Sequence, residues 1–376
     1  MPDKHLHIVS FAIPYPPNYG GVIDVYYKLL ALHRVGVKVH LHCFVYKREV
    51  SQALEKISHS VHYYPRQTGL LSAINHKPYI VASRKSPELL KNLINDDYPI
   101  LFEGIHSCYY LDHPLLGKRF KVYRESNIEH HYYINLAKAE RNIFKKLYFA
   151  QASLKLRFYQ RTLVHAQLML AVSLSDAQYL EAAFPLNNVK YLPSFHPNED
   201  LDIHEGKGDY VLYHGNLSVP ENLIAAEYLV KVFAEMPHPF VIAGLNPPET
   251  LIRLVRKYAH MQVIANPDDK KMFELIRNAQ VNVLVTFQAT GLKLKLLNTL
   301  YNGRHILVNT PMLNGTGLDD LCSIADTTHE LRRISDDLMN STFNVGLTEM
   351  RRQVLQVHYS NLNNAQKLFN LIFSNS

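Results

Sequence analysis

The stretch Asp268–Asn309, DDKKMFELIRNAQVNVLVTFQATGLKLKLLNTLYNGRHILVN, decides the fold class. Lys270–Asn278 has helical spacing, and Val281–Val285 is a short apolar run of strand character. Lys293–Tyr301 is helical again, and His305–Val308 is a second short strand. Strand, helix and strand joined by short connections are the pattern of a doubly wound, mostly parallel sheet. The turn between buried strand and helix carries Thr290 and Gly291, then Leu292, Lys293 and Lys295. Free amides at a helix start, the helix dipole and a lysine ammonium together favour an anion such as a diphosphate. Lysine in a first turn opposes the dipole, and a bound anion accounts for its placement.

The same alternation runs outward in both directions. Upstream lie strands at Tyr210–Tyr213, Phe240–Ala243 and Gln262–Ile264, with helices at Pro220–Ala234 and Leu251–Tyr258. Ser194–Asp209, SFHPNEDLDIHEGKGD, is polar and without periodicity. Before it the pattern repeats: His5–Ile13, Val37–Val45, Pro99–Phe102, Phe120–Tyr123, Gln167–Val172 and Val189–Leu192 read as strands, and Gly20–Arg34 as a helix. The organisation expected is an N-terminal Rossmann-like domain over 1–195, a linker over 196–209 and a C-terminal Rossmann-like domain over 210–345. Helices over 346–376 are expected to pack back toward the first domain.

Composition narrows the class. With 47% hydrophobic and 19% charged residues the chain reads as globular, and no apolar run approaches the ~20 residues of a membrane span. Three scattered cysteines, Cys43, Cys108 and Cys322, fit a reducing cytoplasm. The formal charge of +7 is uneven: residues 1–195 carry +10 and residues 196–376 carry −3. Lys138, Arg141, Lys145, Lys146, Lys155, Arg157 and Arg161 fall among Ile143, Phe144, Leu147, Phe149, Leu154, Leu156 and Phe158. Such a helix suits an anionic bilayer surface, and equally a solvated face on a packed helix. Among 21 histidines, His5/His7 and His40/His42 would share strand faces, but no cysteine or carboxylate stands at ligand spacing, so no metal is expected. No base-reading motif accompanies the basic charge, so nucleic acid is not an expected partner.

Two further loops lie between a strand and a helix. Pro14–Gly21, PYPPNYGG, offers Gly20 and Gly21 for close approach of the backbone to a ligand. Tyr213–Asn222, YHGNLSVPEN, offers Gly215 and Asn216, with Ser218 as a cap and Pro220 in the first turn. Both also serve as ordinary strand-to-helix turns.

These motifs, in this order, resemble the retaining GT-B glycosyltransferases of the group 1, family 4-like kind that build bacterial cell-surface polysaccharides. The stretch 268–309 is similar to their nucleotide-sugar segment, with Gly291, Lys293, Lys295 and Gly303 matching a Gly-x-Lys-x-Lys helix and a following Gly. Tyr15–Gly21 resembles their Pro-rich Gly-Gly loop, Arg124–His130 (RESNIEH) their Arg-x-His-Asn-x-Glu motif, and Val172–Asp176 their Val-Ser-x-x-Asp turn. The family's Glu-x7-Glu pair falls on Thr290 and Asn298, and its histidine on Ser126.

The resemblance implies two facing Rossmann-like doubly wound domains with an interdomain cleft. It implies donor contacts from Gly20, Gly21, Gly215, Asn216, Thr290, Gly291, Leu292, Lys293, Lys295 and Asn298. Glu103, Ser126, Asn127 and His130 are the acceptor-side candidates, and no residue is assigned as catalytic. A nucleotide-diphosphate sugar would serve as donor, a glycan or lipid-linked precursor as acceptor, and neither cofactor nor metal would be needed. The expected location is cytoplasmic, peripheral to the inner face of the plasma membrane. A GT-B scaffold that binds nucleotide sugar or a partner without catalysis is the alternative, motivated by Thr290, Asn298 and Ser126.

Overall fold

The computed structural model describes residues 3–69, 75–140, 142–287 and 294–374. Two compact units emerge: one from Met1–Pro197 together with His358–Ser376, the other from the described residues of 198–357.

The first unit is built on a seven-stranded sheet of order β3-β2-β1-β4-β5-β6-β7, every neighbour parallel. Its strands are β1 (His5–Ser10), β2 (Lys38–Val45), β3 (Ser60–Pro65), β4 (Ile100–Glu103), β5 (Lys121–Glu125), β6 (Leu168–Ala171) and β7 (Asn188–Tyr191). β1 ends at Ser10, short of Ile13, because the Ser10 hydroxyl donates to the Ala12 carbonyl at 2.6 Å and closes a turn. One face packs Leu6, Ile8, Val39, Leu41 and Cys43 beneath the Gly20–Arg34 and Asn361–Phe373 helices. The other packs Val9, Phe44, Phe102 and Tyr123. Fully buried parallel strands read as near-continuous apolar runs, as β4 and β6 do.

β3 was not legible as a strand, because its sequence SVHYYP contains a single aliphatic residue. It is held by β2 and contributes to a polar half-face. In register His7 meets His40, and His42 meets His62. His7 Nδ1 lies 2.8 Å from His42 Nε2, His42 Nδ1 lies 2.8 Å from the Tyr64 hydroxyl, and His7 Nε2 reaches Asp96 at 3.0 Å. Burial holds the His7 and His42 imidazoles below their ordinary range and so favours their neutral form.

The second unit repeats the plan with six parallel strands in the order β10-β9-β8-β11-β12-β13. They are β8 (Val211–Asn216), β9 (Phe240–Leu245), β10 (Met261–Ala265), β11 (Val281–Leu284), β12 (His305–Val308) and β13 (Ser323–Ile324). Pro220 opens the Pro220–Phe233 helix, and a Thr327/Glu330 capping box opens Thr328–Asn340. Gly244 is obligatory, since a Cβ there would stand 1.8 Å from the Gly215 carbonyl oxygen.

The 346–376 segment does not act as one block. The Val345–His358 helix belongs to the second unit, where the buried Arg351 guanidinium donates to the Gly303 and Arg304 carbonyls. Only Asn361–Phe373 packs on the first unit, through Ala365, Leu368 and Ile372.

A buried charge cluster ties the first unit together. Lys28, on the Gly20–Arg34 helix, is 0% exposed and donates to Asp24 at 3.0 Å and to Glu103 at 2.6 Å. Arg124 completes it, 3.3 Å from Asp24. Removing one partner of a buried ion pair leaves an uncompensated charge. Lys28→Met should therefore lower the urea midpoint of this unit's transition, by about 3–5 kcal/mol of stability. Adding Glu103→Gln should recover part of the loss; equal midpoints for wild type and the single variant contradict the assignment.

Candidate functional site

Ligands of doubly wound sheets bind beyond the carboxyl ends of the strands, where the strand order reverses. That point lies between β1 and β4 in the first unit and between β8 and β11 in the second.

In the first unit Gly20 and Gly21 open a helix whose N-terminus has no side-chain cap, which leaves its first amides available to an anion. Gly21 also has a packing reason, because a Cβ there would meet the Phe11 ring at 2.7 Å. Arg84, buried, donates from Nε to the Phe11 carbonyl at 2.7 Å and draws the same loop down. At the end of β4, Gly104 has φ 67°, and a Cβ there would lie 3.3 Å from His106 Nδ1 and 3.7 Å from Ser126 Oγ. Gly104, His106 and Ser126 therefore converge beyond β4 and β5. Asn127 follows, its amide donating to Glu125 Oε1 at 3.1 Å. The Tyr123 hydroxyl donates to the other Glu125 oxygen at 2.7 Å. Burial nevertheless pushes the Glu125 carboxyl well above its ordinary range, against the Tyr123 and Asn127 bonds.

Glu129, in the first turn of the Glu129–Ala139 helix, completes this end of the sheet. Desolvation lifts its carboxyl to about 8, with the nearby Arg84 guanidinium opposing. It is half-buried, so a carboxyl that titrates near neutrality meets solvent here. Glu129 stands in the RESNIEH motif but was not singled out as a site residue. Arg84 and His106 were missed as well, since neither has a motif and only the fold brings them here.

Two acceptor-side candidates are corrected. Glu103 is 2% exposed and its carboxylate is committed to Lys28, so it braces the sheet rather than meeting a ligand. His130 is buried against the His131 ring at 4.2 Å and the Tyr179 hydroxyl at 3.4 Å, and burial pushes its imidazole down to about 4. It is a packed, neutral histidine. Arg124, the first residue of the same motif, is also structural: its Nη2 donates to the Pro193 carbonyl at 2.9 Å.

Thr290, Gly291, Leu292 and Lys293 lie outside the described residues. The helix that follows, Leu294–Asn302, carries Lys295 and Asn298. Lys295 Nζ is 3.4 Å from Asn222 Oδ1 and sits over the Tyr213 ring at 5.2 Å. The Asn222 side chain in turn donates to the Asn216 carbonyl at 3.0 Å and lies against Gly215. Gly215, Asn216 and Lys295 are thus brought together, with Asn222 joining them. Asn298 faces another way, its Oδ1 accepting from Asn302 Nδ2 at 3.2 Å. Glu221, in the first turn of Pro220–Phe233, accepts a hydrogen bond from the Thr286 hydroxyl just past β11.

No family model matches the chain. The "Uncharacterized 44.6 kDa protein in cps region" of Klebsiella pneumoniae is 30% identical over 323 residues, 83% of this chain and 77% of that protein. Among solved structures TarM aligns with a TM-score of 0.69 at 10% identity, over 98% of this chain and 99% of the other. WaaG, a glycosyltransferase involved in lipopolysaccharide biosynthesis, gives 0.65 at 11% identity over 98% and 99%. HepE of Anabaena, in complex with UDP and glucose, gives 0.63 at 12% identity over 99% and 100%. The likeness to these structures is one of fold. The chain belongs to the family of the Klebsiella pneumoniae cps-region protein and has the α/β GT-B fold, two Rossmann-like units each wound on a parallel sheet.

Proposed function

We propose that this chain is a glycosyltransferase that moves a sugar from a nucleotide-diphosphate sugar to a glycan or lipid-linked acceptor in polysaccharide biosynthesis. The observation that carries the reading is the Lys295–Asn222–Asn216 cluster beside Gly215, at the strand-order reversal of the second unit. A cation, side-chain amides and a glycine that admits close approach suit a diphosphate at that point. The fold shared with HepE, solved with UDP and glucose, supports the same donor class. Lysine and backbone amides neutralise the leaving diphosphate, so transfer needs neither metal nor cofactor. Retention of anomeric configuration follows from the resemblance of the motifs. On the acceptor side Ser126, Asn127 and Glu129 act beyond β4 and β5, with Glu129 exchanging the proton of the attacking hydroxyl.

The acceptor is brought from a membrane surface. Phe144, Leu147, Leu154 and Phe158 form one stripe of the Ile143–Tyr159 helix, opposite its buried Ser153, Leu156 and Tyr159. Phe144 is 80% and Phe158 63% exposed, and Lys145, Lys146 and Arg157 are exposed beside them. Among the described residues no helix is long and apolar enough to cross a membrane. An apolar stripe flanked by cations suits the interface of an anionic bilayer, where the protein would rest peripherally.

The donor reading is tested by isothermal titration with a panel of nucleotide sugars, then by turnover of each binder. Binding with hydrolysis or transfer is the expected result, and Lys295→Ala should weaken it by about 1–3 kcal/mol. Absence of binding across the panel rejects the donor site. Binding with no turnover on any lipid-linked acceptor favours a non-catalytic relative, the reading motivated by Thr290, Asn298 and Ser126.

Glu129 must lose its proton to act as a base. Its carboxyl at about 8 means that kcat/KM should rise with pH toward that value. Glu129→Gln should abolish that limb while nucleotide affinity is retained; an unchanged pH profile removes Glu129 from the reaction.

For the membrane, vesicles containing phosphatidylglycerol should co-sediment the protein and neutral vesicles should not. Phe144→Glu with Leu154→Glu should release it. A dimer in solution that the same pair of substitutions dissociates would assign the stripe to a second copy instead.

A further inference from the structure

The histidine half-face of the first unit's sheet continues to the amino-terminal ends of its strands, opposite the end that holds Gly20, Gly104 and Ser126. There His5 on β1, His40 on β2 and His59, directly before β3, come together with one imidazole nitrogen each inside a 4.8 Å span. We propose that His5, His40 and His59 form a structural binding site for a divalent transition ion of the Zn2+ class, remote from the chemistry of transfer.

Three observations carry this. The first is spacing. His5 Nδ1 and His40 Nε2 are 3.0 Å apart. Two imidazoles on one tetrahedral ion, each about 2.0–2.1 Å from it, have nitrogens about 3.3 Å apart, so this pair stands close to ligand separation. His59 is exposed and its ring is set across the other two, at 5.2 Å from His5 and 5.0 Å from His40. A small swing of that side chain closes a three-histidine set and leaves the fourth position for water.

The second is the support behind the ligands. His40 Nδ1 lies 2.9 Å from Ser60 Oγ, which lies 3.2 Å from His62 Nε2. With the Nδ1 proton donated to Ser60, the Nε2 lone pair of His40 is turned toward His5 and His59. A ligating histidine whose other ring nitrogen is held in this way has its tautomer and orientation set in advance. On the other flank Tyr98 stacks on His5 at 4.5 Å.

The third is where the backbone places His59. Its amide donates to the Val39 carbonyl at 2.7 Å, which fixes the approach to β3 against β2. An ion at this point would join β1, β2 and the entry to β3, the edge strand poorest in aliphatic residues. All-imidazole ligation selects Zn2+ or its neighbours and rejects Mg2+ and Ca2+, which take oxygen ligands. Spacing in the sequence could not reveal the site, because His59 precedes a strand that does not read as one.

The test uses the full chain without a histidine tag, stripped with chelator and titrated with Zn2+ by calorimetry. One tight equivalent per chain, with a raised Tm, is expected, and Mg2+ should give neither. His59→Ala, at an exposed position, and His5→Ala should each weaken Zn2+ by at least about tenfold. His204→Ala, at an exposed histidine of the second unit, should not. Cobalt should give the intense visible bands of a tetrahedral centre. Absence of one-to-one binding, unchanged affinity in the His59 and His5 variants, or weak octahedral cobalt bands each overturn the proposal. Nucleotide-sugar binding, read in parallel, is expected to be the same for wild type and His59→Ala.

Discussion

The first unit depends on a salt-bridge cluster with no access to water. Asp24, Lys28, Glu103 and Arg124 come from one helix and two strands, and all are at most 2% exposed. Two carboxylates and two cations cancel, which is the condition for burying them at all. Burial alone would raise the Asp24 carboxyl, but Lys28 and Arg124 outweigh it and hold Asp24 below its ordinary range. Glu103 ends above its ordinary range, since burial and the Asp24 charge exceed what Lys28 supplies. Asp24 also accepts the Phe195 amide at 2.7 Å, and Arg124 holds the Pro193 carbonyl. The chain leaving β7 is thus fastened to the helix after β1 and to the ends of β4 and β5. Those are the strand ends that carry Gly104 and Ser126, so the cluster positions the candidate acceptor side without touching it.

A second polar layer, the histidine half-face, obeys the same condition by another route. It avoids charge: buried imidazoles are held neutral and satisfy one another through N–H to N contacts and the Tyr64 hydroxyl. Polar residues on an inner sheet face are costly unless every one finds a partner. The apolar half of that face, with Val9, Phe44 and Tyr64, supplies ordinary core packing further along the same strands. One face therefore changes from imidazole to aromatic and aliphatic packing along its length, which explains why β3 escapes an alternation-based reading.

Apart from β3 and the two-residue β13, the strands and their order along the chain were legible because parallel strands are short apolar runs set between helices of regular spacing. The site was legible only in part. Gly215, Asn216 and Lys295 were singled out from local signals, a glycine after a strand and a lysine in a first turn, and the fold gathers them around Asn222. Glu103 and Arg124 carry similar local signals, yet they face inward and neutralise each other's surroundings. Whether a charged residue at a strand end meets a ligand or a buried counter-charge is decided by Lys28, 75 residues from Glu103. Arg84 and His106 fail in the opposite sense, with no local signal and a position defined by Phe11, Gly104 and Ser126.

The two units differ in the charge they present at the carboxyl ends of their strands, and under the proposed transfer that difference would divide the labour. In the second unit the groups are Lys295, Asn216 and Asn222, a cationic and amide-rich set suited to a departing diphosphate. In the first, beyond β4 and β5, lie Glu129, whose carboxyl burial lifts to about 8, and Glu125, which burial raises well above its ordinary range, with Arg84 near Glu129. A diphosphate placed beside those carboxyls would repel their ionised form and lift them further. A hydroxyl acceptor imposes no such cost and finds there a group able to exchange its proton near neutral pH. Asn298, standing where a family carboxylate would, fits this division. Its side-chain oxygen is held by Asn302, which bonds Asn198 at 3.0 Å as well, so the amide is fixed within the second unit. A neutral, anchored acceptor there adds no negative charge one helical turn from Lys295, where a carboxylate would have diminished its positive potential.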